Sequence, residues 1–393
     1  MGAPSRKTVQ GGGRLMIRAW MAVVASGLLI TGCSSEGPVT SDGGAAASQQ
    51  IQPLDCEAPV GGASTAGTAN PLSVQDHLEK ATQSMSGGVV VALGTAEGVL
   101  LCAAGRADSA GTPLSTGDVF RIASVTKTFT AVLVMQLVEE GRVSLEDQVT
   151  DVLPNLTMAK GVTVRQLLNH SSGLPEFLDT SFEQAVREDF ARSWTAAEVV
   201  ARLDKGEREF EPPGAQHRYS NTNYLVAGML VEEVTGQPLS EVLRARITEP
   251  LGMGHTGLGP DRPEPVTGFA PALPGGNTEG ISYRALETAT GAAGGMVSTA
   301  ADLVTFATAL ADGQLVSAES LAEMTDFSLA EDGMGVGLGL MQDEGGMIHH
   351  EGRLGGYGSL MILPSPTNDM VVVLSNDMYV NIADLAEDLM PTS

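Results

Sequence analysis

Strand-like apolar runs stand at the two ends of the region from about Pro71 to Ser393, and helix-like patterns fill its middle. Val89 to Gly94 and Val99 to Ala104 are separated by Thr95-Ala96-Glu97-Gly98, the pattern of a β-hairpin. Near the C-terminus, Gly335 to Met341, Met347 to Glu351, Gly358 to Leu363 and Met370 to Leu374 also read as strands. Gly345-Gly346 and Pro364-Ser365-Pro366 supply the turn signals between them. Helical periodicity covers 126–140, 163–169, 195–203, 222–235, 239–247 and 299–311. This order does not alternate strand with crossover helix. It predicts an α+β fold: an antiparallel sheet built from N- and C-terminal strands, flanked by helices, with a helical region inserted between them. No second linker and no internal repeat interrupts 71–393, so these residues are expected to form one domain.

The residues before that domain read as an address. Arg14 and Arg18 precede an apolar stretch from Ala19 to Ile30, which is too short to cross a bilayer and has the layout of a signal peptide. The stretch ends in Ile30-Thr31-Gly32-Cys33, which resembles a bacterial lipobox. The resemblance implies that residues 1–33 form a lipoprotein signal peptide, that Cys33 becomes the lipid-modified N-terminus, and that the body is tethered outside the cytoplasm. An ordinary signal peptide cut near Gly32, with Cys33 incidental, is the alternative. Translation from Met1 or from Met16 fits equally. Residues 34–70, rich in Ser, Gly, Ala, Thr, Pro and Gln, are expected to form a flexible tether. An exported compartment permits disulfides. Cys56 and Cys102 either bridge or remain unpaired, since spacing alone gives no distance.

Charge removes several functions. The formal charge is −25, and setting aside the four basic residues before Cys33 (Arg6, Lys7, Arg14, Arg18) leaves −29. So acidic a body repels phosphate backbones, which excludes a general nucleic-acid partner. A charged fraction of 18% with 42% apolar residues suits a globular chain. No apolar run after residue 33 is long enough to span a bilayer, so membrane contact is expected through the lipid anchor only. Nothing in the sequence sets an oligomeric state.

The helix predicted at 126–140 is apolar on nearly all sides and stops at Gly141, so it should be buried. Yet it carries Lys127 in its first turn, one turn beyond Ser124. Lys127 is the only one of the chain's five lysines with a serine three positions before it. A buried lysine is costly without partners. A serine at a helix N-terminus meets free backbone N–H groups, which stabilise developing negative charge. Ser-x-x-Lys is also a recurrent nucleophile pair, because desolvation lowers the pKa of an amine that then takes the hydroxyl proton.

Such a pair needs a second proton handler and an oxyanion strand. Tyr219-Ser220-Asn221 follows the turn Glu211-Pro-Pro-Gly214 and leads into an apolar helix, whereas the second Tyr-x-Asn, Tyr379-Val380-Asn381, is expected in a surface turn. His350-Glu351-Gly352 lies on a predicted strand ahead of Leu354-Gly355-Gly356-Tyr357; the other His-x-Gly, at His255, lies in a Gly-rich loop. Small residues on that strand allow backbone N–H groups to approach a ligand.

With these motifs in order, the chain resembles the serine β-lactamase and penicillin-binding-protein superfamily. It is most similar to the branch holding class C β-lactamases, actinobacterial D-alanyl-D-alanine carboxypeptidases, D-aminopeptidases and related esterases. The matching stretches are Phe120 to Lys127, Leu167-Leu-Asn-His-Ser-Ser-Gly-Leu174, Tyr219 to Tyr224 and His350 to Tyr357. The resemblance implies Ser124 as acylated nucleophile, Lys127 as its proton partner, and Tyr219 as general base and acid with its phenol pKa lowered by Lys127. It implies Asn221 on a substrate carbonyl, His350 in the place of the third motif's lysine, and an oxyanion hole from the N–H groups of Ser124 and Arg353, the residue after Gly352. Asn169, His170 and Gly173 are read as loop-shaping. No metal or cofactor is expected, since the six histidines show no ligand spacing and the cysteines are few. The implied substrates are a small peptide, an ester or a β-lactam, first among them a D-Ala-D-Ala peptide of the cell wall. An esterase, a class C-like β-lactamase and a non-catalytic penicillin-binding sensor are the alternatives. Glu351 stands where relatives that grip a substrate carboxylate carry Ser or Thr. Its charge opposes such a substrate unless Arg353 or Arg284 compensates.

Overall fold

The computed structural model describes residues 55–57, 71–95, 98–203, 207–270, 273–331 and 333–390. The proposed signal peptide with Cys33, and the tether apart from residues 55–57, lie outside the described residues.

The strands are β1 (Asp55–Glu57), β2 (Gly88–Thr95), β3 (Gly98–Gly105), β4 (Phe120–Arg121), β5 (Val297–Ser298), β6 (Leu329–Glu331), β7 (Met334–Val336), β8 (Met341–Gln342), β9 (Ile348–Leu354), β10 (Tyr357–Ile362) and β11 (Met370–Ser375). Nine of them form one sheet in the order β1-β3-β2-β11-β10-β9-β8-β7-β6, with every neighbouring pair antiparallel. The first hairpin, β2–β3, therefore joins the last strand, β11, which pairs Val90 with Leu374 and Val91 with Val373. This is the expected sheet from both chain ends, and β4 and β5 form a separate two-stranded piece.

Alternation along the central strands divides the core. Val90, Ala92, Leu101, Ala103, Met361, Val372 and Leu374 pack toward the helical region. Val89, Val91, Leu93, Leu100, Leu360, Ile362, Val371 and Val373 pack on the other face. There they meet α1 (Pro71–Thr82), through Val74 and Leu78, and the C-terminal helix (Ile382–Leu389), through Ile382 and Leu385. Burial on both faces explains why these strands read as continuous apolar runs instead of alternating ones.

The inserted region holds α2 (Thr126–Glu139), α3 (Asn221–Thr235), α4 (Arg284–Gly294) and α5 (Ala300–Ala311), among shorter helices. Helix α2 is buried from Thr126 through Met135 and again at Leu137, and its Phe129 stacks on Phe306 of α5 with ring centroids 3.7 Å apart. Two shorter helices begin with reciprocal capping pairs, Thr163 with Gln166 and Thr195 with Glu198. Helix α3 ends at Gly236, whose φ of +69° suits a residue without Cβ.

Two segments differ from the sequence expectation. The single strand expected over 335–341 is broken into β7 and β8 by a tight turn, closed by the Gly337 N–H on the Leu340 carbonyl. A Cβ at Gly337 would lie 2.2 Å from the Met324 carbonyl oxygen, and Gly339 has φ +72°, so the two glycines permit this turn. The pattern at 239–247 gives a short helix (Leu239–Leu243) that widens into π geometry over Arg244–Thr248. Cys102 is disulfide-bonded, and Cys56 is its direct cross-strand partner in the β1–β3 ladder.

Candidate active site

The chain turns sharply out of β4 into a single 3-10 turn (Ala123–Val125) and then α2. Ala123 adopts φ +44°, a left-handed conformation that costs a non-glycine residue about 1–3 kcal/mol. The turn is held from both sides: the Ile122 N–H donates to the Met296 carbonyl, and Ser359 Oγ of β10 donates to the Ile122 carbonyl at 2.6 Å. Strand β9 lies against it so closely that a Cβ on Gly352 would be 2.6 Å from the Ser124 nitrogen and 2.7 Å from the Ile122 carbonyl oxygen. Ser124 is thereby presented, half-buried, at the start of a buried helix and beside the strand carrying His350, Gly352 and Arg353.

Lys127 is fully buried. Its Nζ lies 3.0 Å from Ser124 Oγ, 2.7 Å from Asn221 Oδ1 and 2.7 Å from the Ala293 carbonyl oxygen. Burial pushes the amine down from 10.5 to about 7, and the carboxylate of Glu176 pulls it part of the way back. Two of the three partners are pure acceptors. A neutral amine therefore spends its two N–H bonds on Asn221 and Ala293 and turns its lone pair toward the Ser124 hydroxyl. The Ala293 carbonyl is available because α4 is distorted at Gly291 (φ +35°, ψ −117°). Close packing brings α4 there, since a Cβ on Gly228 of α3 would lie 2.5 Å from the Ala292 Cβ.

Tyr219 donates its phenolic O–H to Ser124 Oγ at 2.9 Å. Its pKa is raised, first by burial and further by the carboxylates of Glu176 and Glu351, while the Ser124 hydrogen bond opposes. The expectation that Lys127 lowers the phenol is not met in the resting site. The lysine is itself brought near neutrality, so Tyr219 stands as a neutral proton donor and Lys127 as the group poised to accept.

Asn221 opens α3 and is held at both ends of its amide. Oδ1 accepts from Lys127, while Nδ2 and the backbone N–H donate to Glu176 Oε2 at 3.0 and 2.7 Å. One Nδ2 hydrogen remains for another acceptor. His350 is 2% exposed, and its Nδ1 lies 2.8 Å from the Glu351 carbonyl oxygen, which places the ring proton on that nitrogen. Burial, then repulsion from Lys127, lowers it to about 3, so it brings an uncharged ring where a lysine would bring a cation.

Burial also raises the Glu351 carboxyl, and Arg353 counteracts. The other cation that could compensate, Arg284, is exposed and donates to Ser193 Oγ. The Arg353 guanidinium donates to the Met378 carbonyl at 2.6 Å. The duplicate motifs lie elsewhere: Tyr379 is 66% exposed with Asn381 capping the C-terminal helix, and the His255 backbone N–H is held by Asp302.

The sequence reading missed three contributors. Glu176 lies two residues beyond the Leu167 to Leu174 stretch, and Ala293 contributes only a carbonyl, which leaves no side-chain signal. His170, read as loop-shaping, stacks on the Tyr219 ring with centroids 4.4 Å apart and planes 30° apart.

A family model described as Beta-lactamase matches residues 74–389. Penicillin-binding protein 4 of Amycolatopsis lactamdurans is 31% identical over 293 residues, spanning 68% of this chain and 74% of its own length. Penicillin-binding protein 4* of Bacillus subtilis (strain 168) is 27% identical over 283 residues; the match takes in 67% of this chain and 62% of the relative's length. The crystal structure of D-amino acid amidase from Ochrobactrum anthropi SV3, complexed with L-phenylalanine amide, superposes with a TM-score of 0.72 at 31% identity, covering 81% of this chain and 96% of that one.

Proposed function

The chain belongs to the beta-lactamase family, and from that premise we propose that it is an exported, lipid-anchored serine hydrolase working through an acyl-enzyme on Ser124. The observation that carries the reading is the position of one hydroxyl, Ser124 Oγ, between Lys127 Nζ at 3.0 Å and Tyr219 OH at 2.9 Å. Neutral Lys127 takes the Ser124 proton as Oγ attacks a carbonyl carbon. The oxyanion sits between the N–H groups of Ser124 and Arg353, at the start of a helix whose dipole favours it. Tyr219 delivers its proton to the departing nitrogen or oxygen and is restored from the Lys127 ammonium. Water then releases the acyl group along the reverse path.

The acyl chemistry is that of a D-alanyl-D-alanine carboxypeptidase acting on cell-wall peptides; the leaving group is where this site differs. Glu176 and Glu351 both bear on the Tyr219 phenol. Arg284 and Arg121 are engaged elsewhere, the latter with Glu287 at 2.7 Å, and Arg353 spends a donor on Met378. A leaving group ending in a free carboxylate therefore meets repulsion, and a neutral amide or ester is the better substrate. The kinship with a D-amino acid amidase structure supports the same preference. The test compares an N-acyl-D-Ala-D-Ala peptide with its C-terminal amide. The amidated peptide is expected to be cleaved faster, and Ser124→Ala to abolish both reactions. Equal or inverse preference would remove the electrostatic reading of substrate choice.

A further inference from the structure

The loop that carries His170 is a cradle for the segment that carries Tyr219. The Tyr224 hydroxyl donates to the Leu168 carbonyl at 2.7 Å, and Arg218 N–H donates to the His170 carbonyl at 2.9 Å. Thr222 Oγ1 and Ser220 Oγ both donate to the Pro175 carbonyl. At the centre is the His170 ring, which is 2% exposed. Its Nδ1 accepts the Ser220 backbone N–H at 3.2 Å and lies 3.2 Å from Asn223 Nδ2. Both neighbours are donors, so Nδ1 carries no proton and the ring is the neutral Nε2–H tautomer.

The backbone of His170 has φ +57°, uncommon for a side-chain-bearing residue. The ring so presented lies stacked under Tyr219, and the Tyr224 ring is 5.2 Å away. Restraints on the phenol of Tyr219 include the stack on the His170 ring, the hydrogen bond through Ser220, and its own bond to Ser124. Of these only the last belongs to the reacting atoms.

We propose that His170 is a positioning residue that acts through Tyr219, holding the phenol in line with Ser124 by its stacked ring and its Nδ1 acceptor. The inference rests on Tyr219 being the proton donor of the acyl-transfer reading. Neutrality of the ring is part of the design. Burial holds the imidazole well below its ordinary pKa, and His217, Lys127 and His350 reinforce that by repulsion. A protonated Nδ1 would face two donors and release both hydrogen bonds.

The test is a double-mutant cycle on the full chain with D-alanine p-nitroanilide as probe, a neutral amide whose departing nitrogen must take up a proton. His170→Ala is expected to lower kcat about 100-fold with KM within about threefold. His170→Asn recovers to within about tenfold of wild type, since Asn tolerates positive φ and its Oδ1 can take the Ser220 N–H. In a Tyr219→Phe background, His170→Ala is expected to remove less than about threefold more. Losses that multiply, a His170→Ala enzyme within about threefold of wild type, or an Asn variant no better than Ala would each overturn the proposal. Should His170→Ala fail to fold, the cycle is run with His170→Asn, whose own loss must then vanish in the Tyr219→Phe background. Retained turnover in both Ser124→Ala and Tyr219→Phe would instead defeat the acyl-transfer reading, and this inference with it.

Discussion

Replacing Glu176 by Gln moves the pH at which Ser124 becomes reactive, and its direction is fixed by the geometry. Lys127 must be neutral to accept the serine proton, so kcat/KM for acylation should rise with pH through an apparent pKa of about 7. Glu176 opposes this by favouring the ammonium. The two charges are bridged by the Asn221 amide, 2.7 Å from Lys127 Nζ on one side and 3.0 Å from Glu176 Oε2 on the other. With about 2.3 Å across the amide, the charges are at most about 8 Å apart. At an effective dielectric constant of about 20, that separation is worth on the order of 2 kcal/mol, and solvent at the half-buried carboxylate screens part of it. Glu176→Gln keeps an oxygen for the Asn221 donors and removes the charge, together with the bond that Oε1 accepts from the Leu178 N–H at 2.8 Å. The limb should therefore move to lower pH by about 1 unit. The assay is stopped-flow acylation by a neutral p-nitrophenyl ester from pH 5 to 9. Glu351→Gln is the control, because Glu351 bears on Tyr219 but not on Lys127, and it should leave the limb in place. A limb that stays put or moves upward in Glu176→Gln would refute the assignment of Lys127 as the titrating base.

Three further outcomes are expected. Glu351→Thr should raise the cleavage of a carboxylate-terminated D-Ala-D-Ala peptide by about tenfold relative to its amide, read as the ratio of kcat/KM values. Gly352→Ala should abolish acylation, since its Cβ would meet the Ser124 nitrogen at 2.6 Å and backbone cannot yield; a labelling time course would show it. The fold should lose stability in acid. His349 and His350 are buried and neutral, with pKa values depressed to about 4 and about 3, while the unfolded chain takes up these protons near 6.5. Stability is therefore complete above about pH 6.5 and falls as pH drops toward 4, by about 3 kcal/mol for His349 alone. Among the described residues neither ring nitrogen of His349 has a hydrogen-bond partner, so His349→Leu should raise the melting temperature at pH 5 and flatten the acid slope.

Much of this architecture was legible because the signals were local. The hairpin β2–β3 and the strands β10 and β11 are apolar runs flanked by glycine and proline, and the helix at 126–140 announces its burial by lacking a polar face. Ser124 and the two side chains that meet its Oγ, Lys127 and Tyr219, were legible because each sits in a distinctive context: Ser and Lys one turn apart, Tyr ahead of a helix. What stayed hidden depends on tertiary geometry. The contribution of α4 is a carbonyl exposed by a distortion at Gly291, and a carbonyl has no residue type. The break between β7 and β8 follows from the Met324 backbone pressing on Gly337. The Lys127 and Tyr219 protonation states were read in the wrong sense for Tyr219, because the depth of burial, which lowers an amine and raises a phenol, is not written in spacing.

The most direct test of the central claim is covalent. The full chain would be treated with a neutral fluorophosphonate at pH 8 and mapped by peptide mass spectrometry, beside Ser124→Ala and Lys127→Ala. A single adduct on Ser124, absent from Ser124→Ala and formed far more slowly in Lys127→Ala, is the predicted result. An adduct at another residue, or labelling of Ser124 that does not depend on Lys127, would contradict the account.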